Sequence, residues 1–353
     1  MGAPLYKVVG SCYKDASITT AAREPIMERR ILGKTGVEVA VLGFGCGAVG
    51  GLMVRGTAAD QERAVARALA LGINYFDTAP IYGNGESEKN LGRVLKALRP
   101  NVVVGTKVRI PDEARGRAAQ AVTASLEASL GRLGLERVDL LQLHNLISED
   151  GRAGTIGETA VLDQVVPALD TLRRQGKIRF FGITALGDTP ALHRVIDARV
   201  LDTAQVCFNL LNPSAGMPLP AGYPAHDFGE LLARTRAAAM GTIGIRVLAG
   251  GALSGVEARH PLGIPAVDPI ASGPSYAADV ERARRLEVLV REGHAGSLVE
   301  AGIRFALTNE GMTTVLVGYS TFEHLEYAAA AAEKGPLPRA ALDRLAALWQ
   351  EKM

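Results

Sequence analysis

Gly72–Leu95, GINYFDTAPIYGNGESEKNLGRVL, decides the fold. Ile73 to Phe76 is a short apolar run of strand character, and it ends in an acid, Asp77. A Pro/Gly-rich loop follows and carries Tyr82, after which a polar, acidic turn opens a helix. A strand, an ionisable side chain at its C-terminal end, a loop and a helix make up one α/β unit. The C-terminal ends of the strands are where such proteins keep their chemistry.

Outward from this unit, the same alternation runs through the chain. Glu28 to Val41 reads as two short strands around a turn, and VLGFGCGAVG follows as a first strand ending in glycines. These glycines imitate a Rossmann fingerprint. That motif needs a helix opening on its last glycine and a strand-end acid about 20 residues on. Here the next helix waits for the Thr57–Asp60 capping pattern and the acid, Asp77, comes too late. The glycines are instead expected to let the strand end approach a ligand closely.

Helices are expected at Asp60–Leu71 (stopped at Gly72), Ser87–Ala97 and Ala118–Leu133, the last with Val122, Leu126, Leu130 and Leu133 on one face. NVVVGTKV and VDLLQLH are the third and fourth strands. A helix at Leu162–Gln175, the strand IRFFGIT, a helix at Ala191–Ala198 and the strand TAQVCFNL come next. A helix at Phe228–Met240 precedes TIGIRV, and an irregular Gly/Pro/Ala-rich stretch covers Leu248–Ser275. Helices at Ala278–Glu292 and Ser297–Leu307, the eighth strand TTVLVG, and helices at Thr321–Ala332 and Ala340–Lys352 complete the chain. Near-continuous apolar strands imply a parallel sheet covered by helices on its faces. Eight such units in a chain of 353 residues fit a closed (β/α)8 TIM barrel, with an N-terminal β-hairpin and extra C-terminal helices.

The composition narrows the function classes. Thirty-nine basic and 37 acidic residues leave a formal charge of +2, which gives no general attraction to nucleic acid or to an anionic membrane. The three cysteines (Cys12, Cys46 and Cys207) lack metal-ligand spacing, so no metal is expected and a reducing, cytoplasmic setting is. Residues 1–26 have neither a signal-peptide core nor an amphipathic pattern. They read as a disordered extension or a start-site artefact, with a single domain spanning 27–353.

In a barrel, Asp77, Tyr82, Lys107 and His144 fall at or just past the ends of three neighbouring strands, so their side chains can converge. Taken singly, each is more simply a loop cap, a packed ring, a solvated strand end and a structural histidine. Together, in the words NYFDTAPIYG, VVGTKV and LLQLHN, they resemble the Asp, Tyr, Lys and His of the aldo-keto reductases, nicotinamide-dependent carbonyl reductases. The resemblance covers Met27 to the C-terminus. It implies that Tyr82 is the general acid/base, since a nearby cation can make tyrosine a usable acid. Lys107 would supply that cation and Asp77 would hold it charged. His144 would hydrogen-bond the substrate oxygen and share in proton transfer.

The resemblance also implies a cofactor half. Gln205 stands where the family binds the nicotinamide amide. Thr184 keeps the hydroxyl of a usual Ser-Asn pair, whereas Ala185 loses the amide. Ile245 replaces a stacking aromatic, and Arg246 suits a phosphate or a substrate anion. Leu248, Gly250, Gly45 and Cys46 complete that wall. Gly318 and Ser320, with His324 in place of a phosphate-reading arginine, resemble the phosphate site at a helix N-terminus. NADP(H) is the preferred expectation and NAD(H) the alternative, with a carbonyl or sugar substrate and a monomer or small homo-oligomer. Tyr82, His144, Asn145, Phe208 and Tyr223 are candidate pocket walls, and the Leu248–Ser275 loop is expected to lie over the cofactor. Two other readings remain open: a lyase forming a Schiff base on Lys107, and a non-catalytic, nucleotide-binding regulatory subunit of a membrane channel.

Overall fold

The computed structural model describes residues 27–351; the extension expected at residues 1–26 lies outside the described residues, as do the last two. Arg29–Ile31 (β1) and Glu38–Ala40 (β2) pair antiparallel as the expected hairpin. Leu42–Gly45 (β3), Tyr75–Asp77 (β4), Val103–Val108 (β5) and Val138–Leu143 (β6) follow. Two short strands, Leu146–Ser148 (β7) and Thr155–Gly157 (β8), pair with each other outside the barrel. Ile178–Thr184 (β9), Thr203–Cys207 (β10), Gly241–Ile245 (β11) and Thr314–Gly318 (β12) complete the set. β3, β4, β5, β6, β9, β10, β11 and β12 are parallel and close in chain order, with β12 back on β3. This is the (β/α)8 barrel.

Side chains alternate across each strand, and that alternation builds two cores. Phe76, Val104, Leu141, Phe181 and Ala204 face outward into the layer shared with the helices. Val122, Leu126, Leu130 and Leu133 are buried there, as their spacing requires. Tyr75, Val103, Leu140 and Ile243 face inward and meet Leu32, Val37 and Val39 of the hairpin region, which plug the barrel bottom. A Cβ on Gly241 would stand 2.5 Å from Leu32 Cγ, so the plug requires glycine there.

Several boundaries differ from expectation for identifiable reasons. A one-turn helix, Leu52–Arg55, intervenes before the Thr57 cap. The Leu162–Gln175 helix is a π-turn at Val161–Val165 running into Val166–Arg174, with Pro167 at the junction unable to donate a backbone hydrogen bond. The Phe228–Met240 helix shrinks to Leu231–Ala237 because Gly229 and Glu230 both adopt left-handed φ, +56° in each. Ala278–Glu292 divides into Tyr276–Arg285 and Val288–Arg291. The last helix is Arg339–Gln350. Among the described residues no helix is long and apolar enough to cross a membrane.

Candidate active site

The four tetrad residues come together at the C-terminal mouth, carried by adjacent elements. β4 pairs with β5 with Asp77 opposite Gly105, and β5 pairs with β6 with Lys107 opposite Gln142. His144 lies just beyond β6, and its N–H donates to the Val108 carbonyl at 2.7 Å. The tyrosine loop is braced from both sides. Ser87 Oγ donates to the Cys46 carbonyl at 2.8 Å and lies 2.8 Å from Thr78 Oγ1. Gly83, at φ +61°, leaves room for Val54 of the one-turn helix, since a Cβ there would meet Val54 Cγ1 at 2.3 Å.

Lys107 is the centre of the site. Its side chain is 2% exposed and ion-paired to Asp77 Oδ1. Its Nζ also donates to the Thr78 carbonyl at 2.8 Å and stands 4.8 Å from the centre of the Tyr82 ring. Burial alone would strip this ammonium of its proton, but the Asp77 carboxylate and the Tyr82 phenol outweigh it, and the pKa is raised. The result is an ammonium held charged beside the Tyr82 ring. The His144 ring lies edge-on to Tyr82 with centroids 6.2 Å apart. Burial, then Lys107 and Arg109, push its pKa down to about 3. His144 is therefore a neutral imidazole at the mouth, a hydrogen-bonding group and not a reservoir of protons.

The cofactor-half residues divide. Thr184 donates to Gln205 Oε1 at 3.0 Å, and Gln205 Nε2 donates to Asp77 Oδ2 at 2.8 Å. Gln205 thus has both polar ends engaged inside the protein, one of them on the tetrad. Arg246 has φ +55°, and its Nη1 is buried without a hydrogen-bond partner. Gly250 makes room for this guanidinium, because a Cβ there would stand 2.7 Å from Nη1. Leu248 is half-buried just before the 3₁₀ turn Ala249–Ser254.

Gly318 is exposed at the end of β12, and Ser320 Oγ donates to the Gly50 carbonyl at 2.6 Å. His324 is in the first turn of the helix Phe322–Glu333, its N–H accepted by Thr321 Oγ1, and its ring is 6.3 Å from that of His260. A Cβ on Gly45, expected to admit a ligand, would stand 2.9 Å from the Val317 carbonyl oxygen. The Cys46 thiol is buried and its pKa strongly raised by burial and then by Asp77, while its N–H donates to the Asp77 carbonyl at 2.8 Å.

Three expected pocket walls are committed elsewhere. Asn145 clasps the Ile110 backbone, accepting from its N–H at 2.8 Å and donating to its carbonyl at 2.7 Å. Phe208 stacks on Phe305 with centroids 4.7 Å apart, and Tyr223 donates to the Leu211 carbonyl at 3.0 Å.

Sequence reasoning passed over Tyr75, Gly47 and Arg109. Tyr75 donates to Asp77 Oδ2 at 3.0 Å, and the two-residue spacing on one strand was the available signal. Gly47 borders the Tyr82 ring, 3.9 Å from a notional Cβ. Arg109, two residues after Lys107, is exposed at the rim and acts on His144. Among the described residues no group of three or more His, Cys, Asp or Glu could hold a metal ion.

The chain is similar to known proteins in both sequence and fold. The chain is 30% identical over 306 residues to L-galactose dehydrogenase of Arabidopsis thaliana, covering 85% of this chain and 86% of that one. Its fold matches an aldo-keto reductase of Bacillus halodurans in its holo form, with a TM-score of 0.67, 23% identity and coverage of 90% and 96%. It also matches an aldo/keto reductase of Klebsiella pneumoniae in complex with NADP and acetate, with a TM-score of 0.65, 21% identity and coverage of 92% and 96%. Residues 41–350 match the family model of the Aldo/keto reductase family, and the chain belongs to that family.

Proposed function

We propose that this chain is an NAD(P)(H)-dependent oxidoreductase interconverting a carbonyl and an alcohol, with Tyr82 as general acid/base. The observation that carries the reading is Lys107, buried between the Asp77 carboxylate and the Tyr82 ring. A cation so placed stabilises the negative charge that develops on the phenol oxygen as its proton passes to a nascent alkoxide. The same permanent charge counts against a Schiff base, for which the lysine must be a neutral amine.

The residues present fit a dinucleotide. The buried, unpartnered Nη1 of Arg246 is a donor open to an anion, and Gly318 with Ser320 stands at the N-terminus of the helix Phe322–Glu333, which favours a second. When bound, the nicotinamide supplies or accepts the hydride. Tyr82 gives its proton to the substrate oxygen in reduction and takes it back in oxidation. Neutral His144 fixes that oxygen by a hydrogen bond. Arg246 holds a phosphate or a substrate anion.

The Leu248–Ser275 loop crosses from β11 to the turn after β3. Arg259 bonds the Gly250, Ile264 and Val49 carbonyls, and the Ile264 N–H bonds the Ala48 carbonyl at 3.2 Å. This strap suits a cover over bound cofactor. Exposed Ile81 and Leu146 stand on the loops that carry Tyr82 and His144, so the substrate meets apolar surface at the rim. An aldehyde, ketone or sugar fits, and the relationship to a sugar dehydrogenase supports the sugar. The test is oxidation of NADPH and NADH with a panel of aldehydes and ketones, and reduction of NADP and NAD with aldoses. Turnover is expected in at least one arm. Tight nucleotide binding with no turnover in any arm would favour the regulatory reading.

NADP(H) is the proposed cofactor, supported by the nucleotide in the Klebsiella relative. One observation favours NAD(H): the first turn of the helix after β12 carries Glu323, whose carboxyl pKa is lowered by its own backbone N–H and by Thr321. His324 beside it is kept neutral by burial and by His260. A carboxylate there opposes a 2′-phosphate. In fluorescence titrations NADPH is expected to bind more tightly than NADH. Glu323→Gln should tighten NADPH about two- to fivefold, with NADH unchanged. A wild-type preference for NADH would install the NAD(H) reading.

A further inference from the structure

We propose that Tyr75, one turn of the pleat below the tetrad inside the barrel, is a positioning residue for the acid/base step, acting through Asp77. The proposal rests on the reading of Tyr82 as the acid/base. Tyr75 is fully buried, and its hydroxyl donates to Asp77 Oδ2 at 3.0 Å. Gln205 Nε2 donates to the same oxygen at 2.8 Å, while Lys107 takes Oδ1. The carboxylate is thereby held by three donors from three strands, β4, β5 and β10.

The barrel makes room for this hydroxyl at a specific place. A Cβ on Gly105, directly across from Asp77, would stand 2.9 Å from the Tyr75 oxygen, 3.1 Å from its Cε2 and 3.3 Å from Asp77 Oδ2. The missing side chain at Gly105 is the space the phenol occupies. A phenylalanine at position 75 would pack the barrel bottom equally well, so the apolar plug does not account for the hydroxyl. Burial, then the Asp77 charge, hold Tyr75 protonated and therefore a donor at all working pH values.

The consequence follows from how the charges share one carboxylate. Facing Asp77 are the Lys107 ammonium, the Tyr75 hydroxyl, the buried Cys46 thiol and, through Lys107, the Tyr82 phenol. His144 and Arg109 lie beyond Lys107. With one donor fewer, Asp77 draws the Lys107 ammonium harder and leaves less positive charge beside Tyr82. The ionisation that governs the acid/base step then moves to higher pH. Tyr75 thus tunes the Tyr82 proton without touching substrate or cofactor.

Tyr75→Phe, near-isosteric, tests this through the pH dependence of kcat. The alkaline limb in the reduction direction is expected to move up by about half a pH unit or more, with cofactor affinity and thermal midpoint close to wild type. Gly105→Ala, which crowds the hydroxyl away from Asp77, should move the same limb the same way, and it serves if Tyr75→Phe fails to fold. Unmoved limbs in the folded variants overturn the proposal, even where kcat falls, because a packing role lowers rate or stability without shifting the profile. Tyr82→Phe run alongside separates the two claims. Full activity there removes the acid/base reading itself; an inactive Tyr82→Phe with an unmoved Tyr75→Phe profile removes only the role of Tyr75.

Discussion

Tyr82→Phe is expected to lower kcat by about 10²–10⁴-fold, the range for losing a positioned proton donor, and to leave dinucleotide affinity within about twofold. The substitution keeps the ring that lies 4.8 Å from Lys107 Nζ and edge-on to His144, so packing at the mouth survives. Only the proton is lost. The loss should appear equally in kcat and kcat/KM, because the hydroxyl acts in the transition state and contributes little to ground-state binding. His144 cannot substitute for it. With its pKa pushed down to about 3, it holds no transferable proton between pH 5 and 8. A variant that retained rate would place the acid elsewhere.

Lys107→Met is expected to have the second large effect, and on two observables at once. The methionine fills the volume but leaves the Asp77 carboxylate buried without its cation, with hydroxyl and amide donors only. Breaking one side of a buried ion pair costs about 3–5 kcal/mol, and chemical denaturation at neutral pH should show a loss of that order. Turnover should fall at least as far as in Tyr82→Phe, since the phenol loses the positive charge beside it. The pH dependence of the wild-type pair has a definite sign. Lys107 has a folded pKa raised above its unfolded value. Its stabilisation is therefore full below the unfolded lysine pKa and fades as pH rises through the folded one. The stability gap between wild type and Lys107→Met should accordingly be constant across neutral pH and narrow only at strongly alkaline pH. A gap near zero at pH 7 would mean that the pair is not buried as described.

The barrel was legible because its signals are local. Each strand is an apolar run and each long helix has a face, as Val122, Leu126, Leu130 and Leu133 show. The elements missed are those without such signals. Leu52–Arg55 is a single turn capped by Gly51, and β7 and β8 are three residues each. The tetrad was legible because strand-end position is enough to bring Asp77, Lys107 and His144 to one mouth. What side chains do beyond the strand end was not. Asn145 and Phe208 follow strand ends in the sequence, yet one turns back onto Ile110 and the other into the helix layer against Phe305.

Gln205 shows the limit most clearly. Its bond to Asp77 joins residues far apart in the chain, and only closure of the barrel brings β4 and β10 side chains together across its interior. The two-residue spacing of Tyr75 and Asp77 did put both on one face, but spacing carries no information about a hydroxyl reaching a carboxylate. That needs the gap at Gly105, which lies on another strand. Sequence thus located the residues that meet at the mouth and left their supporting hydrogen bonds to the fold.

The most direct test of the central claim is the fate of the hydride. The protein is incubated with NADPH or NADH carrying deuterium at both C4 positions of the nicotinamide and with each active carbonyl substrate, and the alcohol is analysed by mass spectrometry and NMR. One deuterium on the former carbonyl carbon is predicted, with incorporation slowed by about 10²-fold or more when Tyr82→Phe replaces the wild type. An alcohol formed without label on that carbon, or labelled at the wild-type rate by Tyr82→Phe, would contradict the account.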